Sequence, residues 1–301
     1  MTRIGKKRKI CERLKYRKDN FMIHETFSVT AEGSLNGGAT LCTYLLELGD
    51  EFRYRKRPLI LICPGGGYGM TSRREAEPLA LAFNAAGYHA AVLYYSCAPA
   101  RFPTQILEIA QAWKLICDRA EEWGVLQEQT VILGCSAGGH LAASYGIFCG
   151  EKFVTDRVNM SAKQLRPRGM ILCYPVISAG KYAHRGSFEN LLGASYTELS
   201  NSEKLEQVSL EKQVTAETPE CFIWHTSEDD CVPVQNSYLF ALALKEKGID
   251  CELHVFANGP HGLSLAKECT AHANAADAAE KECSAWVSLA IGWLKKRIGF
   301  A

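Results

Sequence analysis

The stretch Thr130-Val131-Ile132-Leu133-Gly134-Cys135-Ser136-Ala137-Gly138-Gly139-His140 joins a short apolar run to a small-residue turn and then to a helix-like segment. The apolar run predicts a buried strand over Thr130–Leu133. Glycines two residues before and two after Ser136 allow a turn too sharp for a Cβ. Such a strand–turn–helix lifts a serine hydroxyl clear of a sheet. It also sets that hydroxyl at a helix N-terminus, whose dipole favours developing negative charge. Gly-x-Ser-x-Gly occurs by chance in many chains, and a purely structural glycine turn is the plain alternative. Here the pattern occurs once, with the strand before it and the helix after it, which favours a nucleophile.

The same rhythm runs outward in both directions. Thr26–Ala31 and Thr40–Leu46 alternate around Gly33, Gly37 and Gly38 and predict an antiparallel hairpin. Pro58–Cys63 is a continuous apolar run ending at Pro64-Gly65-Gly66-Gly67, the pattern of a central strand in a parallel sheet. Glu75–Ala86 predicts a helix stopped by Gly87, and His89–Tyr95 a strand. Pro103–Trp123 predicts a helix with Ile106, Ile109, Ala110, Trp113 and Ile116 on one face. Beyond Ser136, strands are expected at Gly169–Val176, Glu220–His225 and Cys251–Phe256, and helices at Val234–Lys247 and Ser284–Arg297. Alternating βαβ units imply an α/β fold, a mostly parallel central sheet with helices on both faces. Residues 178–218 break the rhythm. They are polar, lack a strand pattern and read as a small cap or lid over the carboxyl ends of the strands. No linker divides the chain, so 23–301 reads as one domain behind an arm at 1–22.

The arm is strongly basic. Residues 1–18 carry +8 and the rest of the chain −7, while the whole 301-residue chain has a formal charge of +1. Such an arm can bind nucleic acid or anionic lipid, but a solvated leader is the plainer reading, and no nucleic-acid partner is expected. The arm lacks the apolar core and small-residue cleavage site of a secretory signal. No run approaches the roughly 18 apolar residues needed to cross a membrane. With 47% hydrophobic and 22% charged residues, the composition excludes a mainly disordered chain, a collagen-like fibre and a coiled coil. Thirteen cysteines, an odd number with no Cys-x-x-Cys pair, argue against a zinc ribbon, a thioredoxin site or a disulfide scaffold. They suit a reducing compartment, and a cytoplasmic location is expected.

A serine hydroxyl needs a base and an oxyanion site to act as a nucleophile. After the third strand, Pro64-Gly65-Gly66-Gly67-Tyr68 offers bare backbone N–H groups. Gly66 and Gly67, with the N–H of Ala137, are the expected oxyanion donors. A phosphate loop is the competing reading, and it fails because no Gly-Lys-Ser/Thr follows and Gly-x-Gly-x-x-Gly is absent there. Among eight histidines, His261 lies in Asn258-Gly259-Pro260-His261-Gly262, just past the last strand and at the same sheet edge as Ser136. His140 is expected to pack along the helix, and His254 to be half-buried in a strand. His225 ends a strand before an acidic cluster. The orienting acid falls between serine and histidine in chain order, which leaves Glu228, Asp229 and Asp230 as candidates.

Taken together, Pro64–Tyr68, Gly134–His140, His225-Thr-Ser-Glu-Asp-Asp-Cys-Val-Pro233 and Gly259–Gly262 resemble the α/β-hydrolase esterases. Within these they resemble the bacterial acetyl-xylan-esterase and feruloyl-esterase-like branch, related to the hormone-sensitive-lipase type. The resemblance covers about residues 24–298. It implies an α/β-hydrolase fold and a His-x-x-x-Asp-x-x-Val-Pro spacing that selects Asp229, with Asp230 as runner-up. It implies a serine carboxylesterase in which Ser136, Asp229 and His261 form the triad. The expected substrates are short-chain acyl esters, acetylated sugars or xylo-oligosaccharides, and neither cofactor nor metal is needed. Pro64 departs from the histidine common before the triple glycine, which questions how that loop is braced. Two alternatives remain at this level: an amidase or peptidase of arylformamidase-like type, and a catalytically silent binding protein using the basic arm. Oligomeric state is left open.

Overall fold

The computed structural model describes residues 22–35, 37–49, 51–200, 202–273 and 282–300. The basic arm expected at 1–22 therefore lies outside the described residues except for Met22.

Among the described residues eight strands form one sheet: β1 (Thr26–Val29), β2 (Ala39–Tyr44), β3 (Leu59–Cys63), β4 (His89–Tyr94), β5 (Val131–Cys135), β6 (Met170–Cys173), β7 (Cys221–Thr226) and β8 (Cys251–Phe256). Their spatial order is β1-β2-β4-β3-β5-β6-β7-β8. The hairpin β1–β2 is antiparallel, with Thr26 opposite Cys42, and β2 pairs antiparallel with β4. Every other neighbouring pair is parallel. This is the α/β-hydrolase fold.

Period-2 alternation explains why the central strands are apolar throughout. Leu59, Leu61, Ala91, Leu93 and Ile132 face one core, and Ile60, Ile62, Ala90, Val92, Val131 and Leu133 face the other. Six longer helices of the described residues cover the two faces. They are α1 (Glu77–Ala85), α2 (Thr104–Asp118), α3 (Ala137–Phe148), α4 (Arg185–Leu192), α5 (Gln235–Glu246) and α6 (Trp286–Ile298). The second core takes Leu79, Ala80 and Phe83 of α1 with Trp286, Ala290 and Trp293 of α6. The first core takes the apolar faces of α2, α3, α4 and α5.

Two helices differ from expectation. The segment expected as a helix from Glu75 opens with a separate 3₁₀ turn, Arg73–Glu75, because Ala76 leaves helical geometry before α1 starts. The 103–123 segment breaks at Arg119 into α2 and a short turn, Ala120–Trp123. Apolar spacing continues through the break, since Ile116 and Trp123 are both buried, so periodicity alone reads one helix. The described residues of 178–218 contain α4, two short helices (Tyr196–Leu199 and Glu203–Gln207) and a 3₁₀ turn, Leu210–Lys212, with no strand. Their larger aliphatic side chains and Phe188, among them Leu191, Leu199, Leu205 and Leu210, are buried in the first core, with Ala183, Ala194 and Tyr196 packed partly buried against it.

Candidate active site

Ser136 sits between β5 and α3 with φ 53° and ψ −120°, a conformation costly for any residue bearing a Cβ. Its backbone is held on both sides. The Ser136 N–H donates to the Cys173 carbonyl (2.9 Å), and its own carbonyl accepts from Val176 N–H (3.1 Å). The flanking glycines are needed for space. A Cβ on Gly134 would lie 2.0 Å from the Gly138 carbonyl oxygen, and one on Gly138 would lie 2.1 Å from the Cys63 oxygen. Gly138 thus lets the end of β3, and the triple-glycine loop after it, cross directly over the start of α3.

That loop is braced by a residue the sequence did not single out. Glu75 is buried, and its Oε2 accepts the Gly65 N–H (2.8 Å). Its Oε1 accepts the Tyr174 hydroxyl (2.7 Å), and the Tyr174 oxygen in turn accepts the Ser264 N–H (2.9 Å). The Tyr174 ring stands edge-on to His261, centroids 5.1 Å apart. One carboxylate therefore ties the glycine loop to the histidine loop, a bracing role open where Pro64 replaces the common histidine. No spacing or motif marks Glu75 in advance. The N–H groups of Gly66, Gly67 and Ala137 donate no hydrogen bond among the described residues. That of Ala137 is an orphan of the first turn of α3.

His261, in the loop after β8, reaches Ser136 Oγ with Nε2 at 2.8 Å and Asp229 Oδ2 with Nδ1 at 2.6 Å. Because Nδ1 faces a carboxylate, it carries the proton, and the Nε2 lone pair faces the serine hydroxyl. Of the three adjacent acids, only Asp229 is buried; Glu228 and Asp230 are exposed. Glu228 Oε2 accepts the Gly259 N–H (3.3 Å) at the base of the histidine loop.

Asp229 accepts four donors. Oδ1 takes the N–H groups of Cys231 (3.0 Å) and Val232 (2.8 Å). Oδ2 takes His261 and also His225 Nε2 (3.1 Å). The same His225 nitrogen faces the Val232 carbonyl (2.9 Å), so Nε2 carries the hydrogen and Nδ1 accepts from Ser237 Oγ–H (2.7 Å). Burial pushes the Asp229 carboxyl up. The hydrogen bonds from His225 and His261 outweigh it and hold the group well below the usual carboxylate range. His225 is thus a second histidine on the acid, and the His-x-x-x-Asp spacing was its only signal.

The other histidines play different parts. His140 is buried between the Tyr68 hydroxyl (2.8 Å to Nδ1) and the Val208 carbonyl (2.9 Å to Nε2), and burial lowers it to about 4. It ties the 178–218 segment to α3. His254 lies in β8 with Nε2 3.0 Å from Glu252. Among the described residues no group of three or more His, Cys, Asp or Glu could hold a metal ion. None of their helices is long and apolar enough to cross a membrane.

Ser136, His261 and Asp229 form a continuous hydrogen-bonded line beside three free backbone N–H groups. Such a line can move a proton from a hydroxyl to an imidazole while charge develops opposite the amides.

Comparison with known proteins agrees with this architecture. The BD-FAE family model matches residues 50–244. The chain is 42% identical over 219 residues to endo-1,4-beta-xylanase B of Butyrivibrio fibrisolvens, covering 71% of this chain and 33% of that protein. It is 29% identical over 206 residues to an acetylxylan esterase of Xylanibacter ruminicola, covering 67% of this chain and 40% of that protein. The chain thus spans a third to two fifths of the length of these curated relatives. The structure of an acetyl ester-xyloside bifunctional hydrolase from Caldicellulosiruptor lactoaceticus superposes with a TM-score of 0.74 at 35% identity, covering 87% of this chain and 89% of that one.

Proposed function

The chain belongs to the BD-FAE family, and from that premise we propose that it is a serine carboxylesterase removing short acyl groups, acetyl above all, from sugars such as xylo-oligosaccharides. The observation that carries the mechanism is the line Asp229–His261–Ser136, with contacts of 2.6 and 2.8 Å. Ser136 Oγ attacks the ester carbonyl carbon as His261 Nε2 takes its proton. The carbonyl oxygen becomes an oxyanion facing the N–H groups of Gly66, Gly67 and Ala137. Collapse expels the sugar alkoxide, which leaves with the proton from His261. Water, deprotonated by the same nitrogen, then attacks the acyl-enzyme, and the carboxylic acid departs as Ser136 regains its proton. Asp229 stays ionised throughout and stabilises the imidazolium.

The acceptor class is supported by the xylanase, acetylxylan esterase and acetyl ester-xyloside hydrolase among the relatives. A reducing, cytoplasmic setting is supported by the thiols. Their number is odd, thirteen, and no Cys-x-x-Cys pair occurs among them. A panel of acyl esters and acetylated xylo-oligosaccharides, run on wild type and Ser136→Ala, tests the reading. Acetyl esters are expected to exceed chains of eight or more carbons by at least tenfold in kcat/KM, roughly 1.4 kcal/mol of transition-state binding. Preference for long chains contradicts it.

A further inference from the structure

Three residues spaced three apart along α4 from its N-cap, His184, Ser187 and Asn190, meet the glycine loop. Asn190 Nδ2 donates to the Gly67 carbonyl (2.9 Å). A Cβ built on Gly67 would stand 3.8 Å from Ser187 Oγ and 3.9 Å from His184 Cε1. The apolar side of α4, Phe188, Leu191 and Leu192, is buried in the core. The 178–218 segment therefore presents a polar stripe to the very residue whose N–H would face the oxyanion.

Within that stripe, His184 has work left undone. Its Nδ1 is bonded to Ser187 Oγ (2.8 Å), and Ser187 is fully buried, so the ring orientation is set from behind. Its Nε2 makes no hydrogen bond among the described residues, and the residue is half-buried. Burial, and then the neighbouring His261, lower its proton affinity, with Asp229 opposing; the ring is held neutral at neutral pH. The adjacent cation, Arg185, stacks over Tyr196 with its guanidinium carbon 5.2 Å from the ring centroid. A neutral imidazole with one nitrogen pinned offers a single directed donor or acceptor. That suits an uncharged hydroxyl better than a carboxylate or phosphate.

We propose that His184 Nε2, oriented by Ser187, binds a hydroxyl of the acyl-acceptor sugar next to the ester being cleaved. This rests on the sugar-esterase reading above and adds the residue that recognises the acceptor. A site that hydrogen-bonds a substrate hydroxyl discriminates strongly against an analogue lacking it.

The test compares a methyl xyloside monoacetate bearing a free neighbouring hydroxyl with its deoxy counterpart, and uses 4-nitrophenyl acetate as an acceptor without hydroxyls. Wild type is expected to favour the hydroxyl-bearing sugar by at least about tenfold in kcat/KM. His184→Phe is expected to bring that ratio within about twofold, and His184→Gln, which can still meet a hydroxyl, to keep part of it. Ser187→Ala should give an intermediate ratio. An unchanged ratio in His184→Phe overturns the inference. So do equal proportional losses on all three esters, which make the ring only a prop for the glycine loop. Wild type that cleaves both sugars without preference overturns this inference and leaves the sugar reading standing. Wild type that cleaves only 4-nitrophenyl acetate removes both.

Discussion

At the scale of single residues, Asp229 is separated from its two acidic neighbours by burial and by four donors converging on one carboxylate. Replacing it with Asn keeps the shape but offers an amide that can hold the wrong tautomer of His261. The equivalent change in serine proteases costs about 10⁴ in kcat. Asp229→Asn is therefore expected to lose at least about a hundredfold in kcat, some 2.7 kcal/mol. Asp230→Asn and Glu228→Gln should stay within about tenfold, since both side chains are exposed. Steady-state kinetics on acetyl esters decides it, and a crippled Asp230→Asn would move the acid by one position. Glu75 makes a second residue-scale case. Glu75→Leu leaves the Gly65 N–H and the Tyr174 hydroxyl without their carboxylate inside the protein, at about 1–3 kcal/mol each. Both the melting temperature and kcat should fall, because the same carboxylate steadies the glycine loop and the histidine loop. A variant that loses stability alone would deny the link to catalysis.

At the scale of elements, the strand–turn–helix at Ser136 is dictated by what its glycines make room for. Gly138→Ala would press a Cβ against two backbone oxygens, Cys63 at 2.1 Å and Pro64 at 2.4 Å, neither of which can rotate away. Destabilisation of about 3 kcal/mol is expected, at the upper end for overpacking, read as a lowered urea midpoint. An unperturbed midpoint would mean that β3 and α3 do not cross this closely. The same element shows why some features could be read from sequence and others not. Strands such as Leu59–Cys63 and Cys251–Phe256 announce themselves through composition, and Gly134, Ser136 and Gly138 through a spacing that sterics demands. Glu75 and His225 act through partners distant in sequence or shared with Asp229, and no local period encodes such partnerships. The 178–218 segment reads as polar because its helices bury few large apolar residues: Phe188, Leu191 and Leu192 in α4, and a single leucine in each of the two shorter ones. The break at Arg119 is hidden because burial keeps its period across it.

At the scale of the whole molecule, two buried histidines couple folding to pH. Burial lowers both His140 and His89 to about 4 from 6.5, with Arg57 adding to the effect on His89. Each binds a proton more readily in the unfolded chain, so acidification from about 6.5 toward 4 favours unfolding. Each contributes on the order of 3 kcal/mol across that window. Urea unfolding at a series of pH values should show stability falling through it, and His140→Gln should flatten the fall. Asp229 acts in the same direction but in a lower window. Its depressed carboxyl contributes stability that is present above about pH 4 and lost only below it. The thiols provide a separate check: titration of the denatured, unreduced protein should find all 13 cysteines free, as the twelve in the described residues are. The central claim, that Ser136 is the nucleophile activated by His261 and Asp229, is tested most directly by labelling with a fluorophosphonate and locating the adduct by mass spectrometry. The account predicts one adduct per chain, on Ser136, absent in Ser136→Ala and strongly slowed in Asp229→Asn. An adduct on any other residue, or none in wild type, contradicts it.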